Sequence, residues 1–297
     1  MSLPNFMCIG AAKSGTTTLY DLLRQHPNVY APSFKEPHYF DIPSNYCNGI
    51  EWYNKTYFNS VKQQQVIMDF TPSYLYERKA AKRIFTTLGK DIKFLVILRN
   101  PVDRAYSHYL HSKRDEHEVE DFLKALAKEE ERINDARLKE DYLTELRFSY
   151  VSQGRYYTMI SNYLKYFPIE QFLFIHFEQE FVANRIESIK KIFSFLGIDY
   201  TPELNYTLRS NSASVAKFIW IKRLLQRTGC WRAIIKALIP SLKFRQIIKN
   251  RIQRASISSF IPTPLNIAQR EEVYQLYFTE EINKLEQLLN RKMNWKA

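Results

Sequence analysis

Hydrophobic patterning divides the chain into alternating strand and helix signals. The clearest is Phe94-Leu95-Val96-Ile97-Leu98, five apolar residues in a row with no polar alternation. Such a run predicts a strand covered on both faces, as at the centre of a parallel sheet. Asn100-Pro101 ends it, and Pro101 suits the first turn of a following helix. Phe6–Ile9, Val66–Phe70 and Phe172–Phe177 predict three more strands. Apolar positions at helical spacing predict helices over Thr17–His26, over Lys79–Leu88, and from the end of the last strand to Leu196, where Gly197 stops the helix. Residues 112–148 are charged and helical in pattern, which predicts an insertion on the rim. Ile267–Asn290 predicts one closing helix. Strands alternating with helices imply an α/β fold with a central parallel sheet and right-handed crossovers.

Composition adds one local feature. The net charge is +12, which favours anionic partners. Between Glu203 and Glu271 there is no Asp or Glu but there are 13 Lys and Arg, so much of the surplus is confined to one segment. No linker or repeat interrupts the chain. The expectation is therefore one P-loop-like α/β domain over 1–297, with a nucleotide-binding core at 1–200 and a mostly helical, basic C-terminal part at 201–297 that could act as a lid. Cys8, Cys47 and Cys230 have no paired spacing, which argues against a disulfide framework or a zinc site. The strand signal begins by residue 5, leaving no room for a signal peptide, and no apolar run would span a bilayer. These features predict a cytoplasmic protein.

Candidate chemistry begins with Gly10-Ala-Ala-Lys13-Ser14-Gly15-Thr16-Thr17-Thr18, between the first strand and the first helix. Backbone N–H groups at a helix N-terminus form an anion site. Gly10 and Gly15 have the spacing of a Walker A loop, but the lysine precedes the second glycine instead of following it. Such a shift disfavours a P-loop nucleotide kinase, as does Leu98-Arg99 where a Walker B aspartate would stand. The simpler alternative is a glycine turn with an incidental lysine.

Lys13-Ser14-Gly15-Thr16-Thr17 resembles the 5′-phosphosulfate loop of sulfotransferases that use 3′-phosphoadenosine 5′-phosphosulfate (PAPS), with Ala12 where that family often has proline. Arg99, Pro101, Arg104 and Ser107 resemble the family's 3′-phosphate segment, Arg-x-Pro-x-x-Arg-x-x-Ser. Arg99 leaves the carboxyl end of a strand, where ligands of open α/β sheets bind, and its planar fork suits a phosphate. Lys35-Glu36-Pro37-His38-Tyr39-Phe40-Asp41 resembles the Glu-Pro-His segment of the glycan-type branch, which includes heparan sulfate 3-O-sulfotransferases. The resemblance implies that Glu36 removes the acceptor's proton; the aryl branch uses a histidine, which makes His38 the second candidate. It further implies Lys13, Ser14, Gly15, Thr16, Thr17, Thr18, Arg99 and Ser107 as PAPS ligands, Phe177 beside the adenine, and metal-independent transfer to a hydroxyl of a sugar, glycolipid or small molecule, with 3′,5′-ADP as product. Asp69-Phe70-Thr71-Pro72-Ser73-Tyr74 resembles a segment that usually carries lysine at the second position. Phe70 in its place points to a less anionic or more aromatic acceptor.

From Lys217 to Arg254 basic residues interleave with Phe218, Trp220, Leu224, Trp231, Ile234 and Leu238. This pattern fits a solvated basic face, a lid supplying 3′-phosphate contacts from Lys249, Arg251 or Arg254, or a peripheral contact with anionic membrane. A membrane- or nucleic-acid-binding protein explains this charge but not the loop at 10–18, and no nucleic-acid partner is expected.

Overall fold

A computed structural model describes residues 1–201, 203–208 and 264–295, together with two short strands, Ser214–Ala216 and Ile257–Ser259. The chain forms two compact units, Met1–Ser210 with Leu265–Ala297, and Asn211–Pro264. Residues 265–297 thus cluster with the α/β core, and the C-terminal part expected as 201–297 is divided between the units. In the smaller unit the two short strands pair antiparallel. The basic stretch 217–254, with Lys249, Arg251 and Arg254, lies outside the described residues.

The larger unit is built on five parallel strands: β1 (Phe6–Gly10), β2 (Val29–Tyr30), β3 (Val66–Phe70), β4 (Lys93–Leu98) and β5 (Phe172–His176), in the order β2-β3-β1-β4-β5. Four of them are the strands predicted from the apolar runs. β2, only two residues long, carries too little pattern to be read. Every residue of β1 is buried, and its side chains alternate between the faces. Met7 and Ile9 join Phe94 and Val96 beneath the Tyr156–Tyr163 helix, among Met159, Ile160 and Tyr163. Phe6 and Cys8 join Leu95 and Ile97 on the opposite face, against the Thr16–Leu23 and Arg185–Leu196 helices. Both faces being covered explains the unbroken apolar run of β4. An Ile97→Ala cavity here costs about 2–5 kcal/mol.

Strand order positions the site. The chain leaves β1 toward β2 on one side and leaves β4 toward β5 on the other. Loops from two adjacent strands therefore part at their carboxyl ends, which opens a crevice at the topological switch point. The 11–15 loop and Arg99 both emerge there. Asn100 caps the Pro101–Arg114 helix by accepting from the Val102 N–H at 3.0 Å, with Pro101 in the first turn.

One expectation gains detail and another changes. The rim insertion is three short helices, Phe122–Ala127, Glu129–Leu138 and Tyr142–Phe148. The closing segment is two helices, Ile267–Tyr277 and Thr279–Leu289, broken at the buried Phe278. The Phe278 ring packs on Gly154, where a Cβ would lie 2.8 Å from Cε1. The closing pair is held near the crevice by a two-pronged Arg270–Asp103 ion pair (2.5 and 2.8 Å) and by the Trp295 Nε1 donating to Glu178 at 3.2 Å. Among the described residues no helix is long and apolar enough to cross a membrane.

Candidate active site

The first half of the site is the loop after β1. Lys13 has φ 69° and Gly15 φ 77°, both in the left-handed region. Gly15 is required twice over, since a Cβ would also stand 2.9 Å from the rings of Phe177 and Phe181. It starts the Thr16–Leu23 helix without a side-chain cap, so no side chain competes for the first-turn N–H groups. Thr16 and Thr18 are buried and Thr17 is half-buried along this first turn.

Arg99 closes the loop from β4. Its Nη1 donates to the Lys13 carbonyl at 2.7 Å, its guanidinium lies 5.1 Å from the centre of the Phe177 ring, and its carbonyl accepts from the Tyr156 hydroxyl at 2.8 Å. Ser14 Oγ and Arg99 Nε are both buried without a hydrogen-bond partner among the described residues. Buried polar atoms are rarely left so, and an anion oxygen would satisfy both. Burial, then the charge of Arg114, push the Lys13 ammonium down to about 7, with Glu36 and Asp115 opposing. Three features thus converge at this loop: an ammonium disfavoured by burial, a helix start without a side-chain cap, and two buried donors, one of them from Arg99, without a partner among the described residues. This is the chemistry of an oxyanion site.

The second half is the loop before Asp41. Glu36 (φ 64°) and His38 (φ 52°) are again left-handed non-glycine residues, a conformation that persists only when its surroundings hold it. Glu36 pairs with Lys35, and its other oxygen lies 3.6 Å from His38 Nε2. His38 Nδ1 lies 2.8 Å from the carboxylate of the fully buried Asp41, which also accepts from Ser73 Oγ at 2.5 Å. Burial alone would raise the Glu36 carboxyl, but the hydrogen bond with His38 and the Lys35 charge hold it down to about 2. Burial would lower the His38 imidazole, yet Asp41 and Glu36 hold it up to about 10. At neutral pH the pair is carboxylate and imidazolium.

Several residues expected from the sequence come together: Lys13, Gly15, Arg99 and Phe177 share contacts, Ser14 is buried between Lys13 and Gly15, and the Glu36 charge reaches Lys13. Ser107 is half-buried on the Pro101–Arg114 helix. Arg104, the second arginine of that motif, is fully buried and donates to the Tyr150 carbonyl. The reading of Phe70 is corrected. Its ring is fully buried between Phe6 and Tyr20, at 6.0 and 5.7 Å between ring centres, so it says nothing about the acceptor. Sequence reasoning missed Arg114 and Asp115, whose charges act on Lys13 from the end of the Pro101–Arg114 helix. It also missed the service of Asp41 and Ser73 to His38, although Asp41 stands in the quoted motif three residues after the histidine.

Family comparison now has geometry to rest on. The sulfotransferase domain family matches residues 3–218. The chain belongs to this family. Among curated relatives, mouse heparan sulfate glucosamine 3-O-sulfotransferase 3B1 is 32% identical over 196 residues, covering 66% of this chain and 46% of the relative. The membrane-associated sulfotransferase kil1 of Dictyostelium discoideum is 45% identical over 111 residues, covering 37% of this chain and 23% of kil1. The chain thus spans about half the length of the mouse relative and less of kil1. A crystal structure of a sulfotransferase from Alicyclobacillus acidocaldarius superimposes with a TM-score of 0.68 at 26% identity, covering 98% of both chains. Membership in this family replaces the nucleotide-kinase and binding-protein alternatives.

Proposed function

We propose that the chain transfers a sulfuryl group from PAPS to an acceptor hydroxyl, with the 10–18 loop holding the phosphosulfate and Glu36 acting as the general base. The observation that carries this reading is the pair of buried donors without a partner among the described residues, Ser14 Oγ and Arg99 Nε, beside an ammonium whose charge is opposed by burial and by Arg114. In the reaction the acceptor oxygen bonds to sulfur as the bond from sulfur to the 5′-phosphate oxygen breaks. The acceptor's proton passes to Glu36, and the products are a sulfate ester and 3′,5′-ADP. Lys13 and the N–H groups of the first helical turn stabilise the charge gained by the leaving phosphate, the kind of positioned electrostatic support that dominates such transfers. Arg99 and Ser107 take the 3′-phosphate, with Phe177 alongside the base. These residues supply cationic and N–H contacts of their own, so the reading requires no metal.

Glu36 is favoured over His38 as the base because the imidazole already holds its proton at neutral pH while the carboxylate is empty. A sugar hydroxyl is the favoured acceptor, since the 35–41 segment resembles that of the glycan-type branch and one relative is named a heparan sulfate glucosamine 3-O-sulfotransferase. The test is transfer of ³⁵S from labelled PAPS to a heparan-derived hexasaccharide, a glycolipid and a phenol, with EDTA present. Label on any of the three supports the reading; label on none, with intact PAPS recovered, overturns it.

A further inference from the structure

Two left-handed non-glycine residues within three positions, Glu36 and His38, need something to hold them, and the contacts of His38 with Asp41 and Ser73 fix only its ring. The backbone is held at the peptide that follows His38, on both of its polar groups: the Asn45 amide donates to the His38 carbonyl at 2.9 Å. The Tyr39 N–H, the next peptide group after His38, donates to the Tyr74 hydroxyl oxygen at 2.9 Å. That hydroxyl donates in turn to Asp69 Oδ2 at 3.0 Å. Asp69 is fully buried and accepts two further hydroxyls, Tyr53 on Oδ2 at 2.5 Å and Thr71 on Oδ1 at 2.6 Å. The Tyr39 ring stacks on Tyr53 at 4.3 Å with 11° between planes, and the Tyr163 hydroxyl donates to the Tyr74 carbonyl at 2.8 Å.

Direction matters in this chain of bonds. A hydroxyl has one proton to give. An Asp69 carboxylate has no proton of its own, so it draws the Tyr74 proton to itself and leaves the Tyr74 oxygen to accept from Tyr39. A neutral group in place of Asp69 could donate to Tyr74 instead, and the hydroxyl would be free to turn from the peptide it holds.

We propose that Asp69 and Tyr74 are positioning residues for the Glu36–His38 loop, acting through a polarised chain from the Asp69 carboxylate through the Tyr74 hydroxyl to the Tyr39 N–H. The pair touches neither reacting group. Its effect is to keep Glu36 and His38 in the left-handed backbone that faces them toward each other. The inference rests on the proposed reading of this loop as the acceptor side, but its test does not need an acceptor.

The test is an NMR titration of the His38 ring, assigned by its loss in His38→Asn, in full-length Tyr74→Phe, Asp69→Asn and the double variant. Asp41 and Glu36 face that ring and hold its proton, so displacement of the loop must weaken the hold. Each single variant is expected to loosen the His38 proton about tenfold, the size of one hydrogen bond. The double variant should be no worse than either single one, Asp69→Glu should restore the original value, and 3′,5′-ADP affinity should stay within about twofold throughout. An unchanged His38 titration in folded Tyr74→Phe overturns the proposal, as do additive effects in the double variant. If Asp69→Asn fails to fold, Tyr74→Phe alone decides. Full transfer by Glu36→Gln, with His38 still responding to Tyr74→Phe, would remove Glu36 as the base and leave the positioning role standing.

Discussion

The 10–18 and 35–41 loops, linked by the charge of Glu36 acting on Lys13, solve opposite electrostatic problems. The 10–18 loop has cationic and donor groups left unsatisfied: burial pushes its lysine toward neutrality, and its Ser14 Oγ and the neighbouring Arg99 Nε have no partner among the described residues. The 35–41 loop is internally balanced: Lys35, Glu36, His38 and Asp41 alternate in sign, and each touches the next in space. The difference shows what each can do. A loop with unmet donors gains most when an anion arrives, which suits binding and support of a leaving phosphate. A loop whose charges are already paired holds its geometry without a ligand, which suits a base that must be ready and aimed before the acceptor enters.

The contrast can be broken most directly at Lys13. Lys13→Ala and Arg99→Ala should each abolish PAPS-dependent transfer, a loss of at least about 10³-fold, and weaken 3′,5′-ADP in calorimetry, because both contribute to the anion site. Glu36→Gln should lower turnover by about 10²–10⁴-fold while leaving 3′,5′-ADP affinity intact. A Glu36 variant that weakened the nucleotide as much as a Lys13 variant would erase the division of labour between the loops.

Acidity sharpens the same contrast. Lys13 is pushed down to about 7 by burial, and only the ammonium attracts an anion. Affinity for 3′,5′-ADP should therefore be full below that point and fall by up to about tenfold for each pH unit above it, as isothermal titration between pH 7 and 9 would show. His38, held up to about 10, should show no change over most of that range. The smallest effect belongs to Phe70. Phe70→Leu should lower the melting temperature by a few degrees, corresponding to about 1–1.5 kcal/mol of lost packing, and leave the acceptor KM unchanged. A changed KM would return Phe70 to the acceptor site.

Much of this was legible in the chain because it is local. The apolar run of β4, the strand–loop–helix setting of Lys13 and the stop at Gly197 all depend on residues near one another in sequence. β2 escaped because two residues carry no period, and Phe278 escaped because a break in a helix is decided by what its ring packs against, here Gly154. Phe70 misled because a motif position does not say which face of the sheet a side chain takes; alternation along β3 sends it to the helix side, away from Asp69. The bonds of Asp69 to Tyr53 and of Tyr74 to Tyr39 join residues 16 and 35 positions apart, and no spacing rule reaches that far.

The central claim is an anion site that works through Lys13, Ser14 and Arg99. Calorimetric titration of 3′,5′-ADP into the full chain with EDTA, beside ATP with magnesium, tests it most directly. The account predicts binding of 3′,5′-ADP without metal, at least about tenfold weaker in Lys13→Ala. Absence of that binding, or a Lys13→Ala variant that binds as tightly as the original chain, would contradict it.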